Sequence, residues 1–197
     1  MSHFALPRVF QASAHGASDT NREPSVLKLL LLFVVPMSLL PPLMYIYAQI
    51  THPGVILPLL EPQLNFAEAM LVGGAFFAIE ILAVFMMAKF IQQLGDDIGV
   101  QPDYADAFAL AATAPTPLWL ATLALALPNP IVNIVFLALA WFCCVGLIRR
   151  GVQALFMPYD DSHTHELANT LTFIGVSTWF SLLLFLVLIL SMVIGWR

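Results

Sequence analysis

Residues 66–93 read FAEAMLVGGAFFAIEILAVFMMAKFIQQ, and between Ala69 and Ala88 this stretch holds one ionisable side chain, Glu80. Crossing roughly 30 Å of hydrocarbon at 1.5 Å per residue takes about 20 mostly apolar residues. Backbone amides and carbonyls cannot stay unpaired in lipid, so an apolar run of this length reads as a membrane-spanning helix. Four further runs of the same kind flank it. One precedes it over about 26–48, interrupted by Pro36, Pro41 and Pro42, and three follow over about 104–127, 131–148 and 169–196. Pro128-Asn129-Pro130 predicts a tight turn between the third and fourth.

The chain is 60% hydrophobic and 10% charged, against about a quarter charged in ordinary soluble domains. The alternating pattern of an outer-membrane strand is absent from these runs, so the expected fold class is an all-α membrane protein, a bundle of five transmembrane helices. Residues 1–25 are polar and predict a flexible cytoplasmic tail ahead of a 26–197 transmembrane domain. Residues 51–65, with three prolines, predict an extended loop rather than a sixth span.

Charge placement orders the helices. With five spans, Arg8, Arg22, Lys28, Lys89, Arg149 and Arg150 fall on one side and Arg197 on the other. Lysine and arginine accumulate in short cytoplasmic loops, so the amino terminus is expected inside and the carboxyl terminus outside. Asp19, Glu23, Asp96, Asp97, Asp103, Asp106, Asp160, Asp161 and Glu166 share the cytoplasmic side. That face is mildly acidic, suited to solvated loops or to docking a protein rather than to gripping anionic lipid. No basic patch for nucleic acid is present.

Little polar material remains to carry chemistry. Ionisable groups at mid-membrane are costly and face protein or water rather than lipid. At 100° per residue Ala69, Gly73, Ala83 and Met87 share the face of Glu80, and small residues there let a neighbouring helix approach. Three readings of Glu80 stand: a protonated, hydrogen-bonded structural lock, a contact to a partner subunit, or a group that binds or relays an ion. In the third span, Pro115 and Pro117 lack amide donors and deprive the Ala111 and Thr113 carbonyls of their helical partners. A kink is expected there, with the Thr113 and Thr116 hydroxyls available to the freed carbonyls. The many alanines of this span predict a central, closely packed helix.

The adjacent Cys143 and Cys144 point in different directions on a helix and make neither a disulfide nor a metal site. The 158–167 segment holds Asp160, Asp161, His163, His165 and Glu166, but two histidines so close together in a loop make a poor metal site, and no metal or other cofactor is expected. No phosphate loop, nucleophile elbow or zinc motif occurs, so an enzyme is not expected.

The order of features resembles the Yip (Rab-interacting) membrane proteins, and more closely their bacterial relatives of the YohC inner-membrane type. The likeness rests on five spans with the amino terminus inside and on Ala114-Pro115-Thr116-Pro117-Leu118 in the third span. It rests also on Gly151-Val152-Gln153-Ala154-Leu155-Phe156, where the family tends to have a Gly-Ile-Pro-like turn on the cytoplasmic side. Gln153 stands in the place of that proline. Eukaryotic members of the family organise vesicle traffic and engage prenylated small GTPases; the bacterial members have no settled activity and would sit in the inner membrane.

Residues and resemblance together predict a non-enzymatic inner-membrane protein, an interaction, membrane-organising or accessory subunit. Its expected partners are the lipid bilayer and other membrane subunits or itself, not nucleic acid. The alternative is a small transporter or ion-pathway component using Glu80 and the Pro115/Pro117 kink.

Overall fold

The computed structural model describes residues 26–52, 64–97, 102–156 and 161–195, without the side chains of 161–165 and 194. The expected amino-terminal tail and most of the loop after the first span lie outside these residues. The described chain is all helical, and five helices are long and apolar enough to cross a membrane. We number them α1 (Val26–Thr51), α2 (Phe66–Asp97), α3 (Tyr104–Ala126), α4 (Pro130–Phe156) and α5 (Asp161–Gly195).

Local chemistry explains where the helices start and bend. At the head of α2, the Glu68 amide donates to Asn65 Oδ1 at 2.9 Å while the Asn65 amide donates to Glu68 Oε2 at 2.8 Å. This reciprocal capping box satisfies two amides that have no partner inside the helix. At the head of α4, Asn129 Oδ1 accepts from the amides of Ile131 and Val132, and Pro130 fills the first helical position, where its missing N–H costs nothing. In α1 a π-helical turn at Leu30–Val34 precedes Pro36, and the helix restarts at Leu40 with prolines in its first turn. It ends at His52, whose following Pro53 disfavours helical backbone.

Two expected boundaries are corrected. α4 does not stop at residue 148 with a turn at Gly151; it continues to Phe156. Gln153 keeps the backbone N–H that a proline would lack, so nothing interrupts the hydrogen-bond ladder. The segment expected as a loop up to Leu167 is helical from Asp161, giving α5 seven more residues at its start than the loop reading allowed.

Packing places α3 at the centre. In its most apolar stretch 44% of residues are buried, against 11% in α4 and α5. The alanine-rich first part of α3 packs on α2, and its later part on α4 and on the end of α1. The main core gathers Phe108 of α3, Val84 and Ile91 of α2, Val152 and Phe156 of α4, and Leu171 of α5. A smaller cluster of Tyr45, Val72 and Leu190 closes the other end. Phe142 and Phe173, 78% and 74% exposed, lie on the outer surface of α4 and α5, as lipid-facing side chains do. Lipid tails are as apolar as the core, so close packing rather than water exclusion holds such helices together.

Gly73 and Gly151 each mark a close helix contact. A Cβ at Gly73 would stand 3.0 Å from Ile46 Cδ1 and 3.4 Å from Pro42 Cβ of α1. The small-residue face of α2 is thus covered, at Gly73, by the chain's own first helix. At Gly151 a Cβ would collide with the Leu110 side chain of α3, so this glycine lets α4 close on α3 rather than making a turn.

Candidate functional site

Glu80 lies near the middle of α2 and is 5% exposed. Its neighbours on the same face, Ala83 and Met87, line with it a crevice of about 100 Å3 walled by α2, α3, α4 and α5. Ala69 and Gly73, the other residues expected on this face, are buried toward the far end of the helix. The carboxyl therefore points into the bundle, as its small-residue surroundings predicted.

The break in α3 supplies the opposite wall. Helical backbone runs to Thr113, turns at Ala114 and Pro115, and resumes at Thr116. Leu118 and Trp119 donate their amides back to the Pro115 carbonyl at 2.9 and 3.1 Å, re-forming the helix past the proline. Trp119, 2% exposed, lines the same recess with its indole beside the Glu80 carboxyl. The threonines do not serve the freed carbonyls as expected. The Thr113 hydroxyl donates to the carbonyls of Ala109 at 2.8 Å and Leu110 at 3.3 Å, one turn earlier in its own helix. Thr116 Oγ1 is buried with no hydrogen-bond partner among the described residues.

Helices α4 and α5 complete the enclosure with aromatic side chains. Trp141 and Trp179 meet edge to face, with centroids 6.1 Å apart at 85°, and Phe180 packs on Trp141 at 4.8 Å. The Thr178 hydroxyl is occupied by the Ile174 carbonyl at 2.8 Å. Gly175 lets α5 approach α4, since a Cβ there would stand 3.0 Å from Ile148 Cδ1.

Of the residues singled out in the sequence, Glu80 and Pro115 thus line one crevice. Gly73 and Gly151 serve helix contacts elsewhere, although Gly151 seats Leu110, which is part of the crevice wall. The convergence of Trp119, Trp141 and Trp179 carried no pattern in the sequence. One signal was available: tryptophan gathers at membrane interfaces, yet Trp141 and Trp179 lie near the middle of their helices.

Magnitudes indicate what this arrangement does. An acidic side chain at the centre of a spanning helix costs on the order of 3 kcal/mol. One interhelical hydrogen bond in a membrane returns about 1 kcal/mol. Trp119 alone does not balance Glu80. Oε2 of Glu80 and Nε1 of Trp141 are buried without a hydrogen-bond partner among the described residues, and both residues line the crevice. An acceptor and a donor thus stand in one apolar recess, each without a partner among the described residues.

Comparison with curated proteins and with solved structures finds no match at a significant level. The Yip1 domain family matches residues 8–192, which takes in all five spans except the last few residues of α5. The chain is a multi-pass membrane protein that belongs to the Yip family.

Proposed function

We propose that this protein is a non-enzymatic accessory or membrane-organising subunit of the bacterial YohC-like branch, set in the inner membrane with its amino terminus in the cytoplasm, and that it works by binding. The observation that carries this reading is the crevice: four helices converge on one carboxyl in an otherwise apolar recess. Such recesses, mostly apolar with a few convergent polar groups, are how folds hold small molecules. The lining offers no nucleophile paired with a base, and a single carboxyl with an indole partner fits holding rather than transforming. Its partners are the bilayer, a molecule held in the crevice, and other membrane subunits or a second copy of the chain.

Native mass spectrometry of the full-length protein after mild extraction tests this. Retained small molecules or stoichiometric protein subunits, reduced by filling the crevice with Val176→Phe, support it. A clean monomer carrying nothing contradicts it.

One observation favours the transporter alternative. Glu80 and Pro115, the ionisable group and the hinge that it requires, line the same crevice. Under that reading Glu80→Gln abolishes a measurable flux in proteoliposomes while leaving the fold intact. Absence of flux in the native protein removes it.

A further inference from the structure

Glu80 Oε2 lines the crevice with no hydrogen-bond partner among the described residues. The lining contains no lysine, arginine or histidine, so among the described residues none brings a counter-charge to the carboxyl. Lys89 is nine residues further along α2, about 13 Å at the helical rise, and is exposed. Three of the four tryptophans in the chain, Trp119, Trp141 and Trp179, stand around the same recess. Among side chains the indole face attracts an ammonium group most strongly, and aromatic cages are the recurring device for holding quaternary ammonium. We propose that the crevice is a binding site for a lipid-soluble organic cation, an alkyl or aryl ammonium whose charge sits against Glu80 and whose apolar body lies among the indoles. This rests on the binding reading above and names its occupant.

Size and ligand chemistry narrow the choice. Apolar cavities of about 150 Å3 take a benzene ring, so a recess of about 100 Å3 holds a trimethylammonium head, with a ring or any longer body passing out between the helices. A metal cation is disfavoured, because calcium or magnesium asks for about six oxygen ligands and the lining offers one carboxyl. An anion is disfavoured by the carboxyl itself. The Trp141 N–H, which also has no described partner, gives an extra hydrogen bond to ligands that carry an oxygen near the nitrogen.

The test uses full-length protein in dodecyl maltoside, a neutral detergent, and equilibrium dialysis against radiolabelled benzyltrimethylammonium. Neopentylbenzene, the same shape with carbon in place of nitrogen, is the neutral competitor. The expected result is saturable binding of one cation per chain, weakened at least tenfold by Glu80→Gln and several-fold by Trp141→Leu. Neopentylbenzene should compete at least tenfold less well than unlabelled cation. Binding within twofold of native in Glu80→Gln, or equal competition by neopentylbenzene, overturns the proposal while leaving an apolar binding crevice in place. If neither compound binds and native mass spectrometry finds nothing retained, the binding reading fails with it. Should Glu80→Gln not fold, Val176→Phe decides: it must lose the cation at least tenfold, and retained binding overturns the proposal.

Discussion

Replacing Gln153 by proline separates two accounts of the carboxyl-terminal end of α4. The family resemblance implies a turn at Gly151-Val152-Gln153 in which proline is at home. The structure instead runs α4 unbroken through Gln153 to Phe156. Proline in a helix interior removes one backbone hydrogen bond and drives its ring into the carbonyl four residues earlier, at a cost of about 3 kcal/mol. The helix can escape by unwinding beyond Arg149, but Val152 and Phe156 are each 0% exposed. Losing their burial costs about 1.5–3 kcal/mol per side chain. Either route destabilises by about 3 kcal/mol or more, whereas Gln153→Ala, between two good helix formers, should stay within about 0.5 kcal/mol of native. Unfolding of both variants by sodium dodecyl sulfate in mixed micelles, followed by circular dichroism, measures the difference. A proline variant within about 1 kcal/mol of the alanine variant refutes the continuous helix and restores the turn.

Two further predictions follow from the packing and the charge pattern. Gly151→Val drives a branched side chain into Leu110, which is itself 3% exposed; overpacking of this kind costs about 1–3 kcal/mol. Adding Leu110→Ala makes room, so the double variant should be more stable than the sum of the single effects by at least about 1 kcal/mol, and strict additivity contradicts the contact. With Cys143 and Cys144 replaced by alanine, Leu127→Cys in the exposed α3–α4 turn should react with a membrane-impermeant maleimide added outside intact cells. Reaction only after permeabilisation reverses the orientation read from the basic residues.

The spans were legible because lipid imposes a length and a composition that no soluble helix shares, and the face of Glu80 was legible because Gly73, Ala83 and Met87 recur at helical spacing. Helix ends were less so. The fourth run reads as ending at residue 148, yet Gln153 keeps the backbone N–H that a proline would lack and the helix continues through Val152-Gln153-Ala154-Leu155-Phe156. Thr113 was expected, with Thr116, to serve the carbonyls freed by Pro115 and Pro117, but a threonine hydroxyl reaches the carbonyl one turn back in its own helix more easily than one displaced by a kink. The site itself was half visible. Glu80 is conspicuous in an apolar run, whereas Trp119, Trp141 and Trp179 belong to three different helices and only tertiary packing brings them together.

The most direct test of the central claim is an experimental density map of the full-length protein in native-lipid nanodiscs, obtained by electron microscopy with a bound antibody fragment. The account predicts that α2, α3, α4 and α5 enclose Glu80, that the Trp119 indole meets its carboxyl, and that density for a small molecule lies between Oε2 and the Trp141–Trp179 pair. A Glu80 side chain turned to lipid or to a subunit interface, or a recess closed by the indoles themselves, contradicts it.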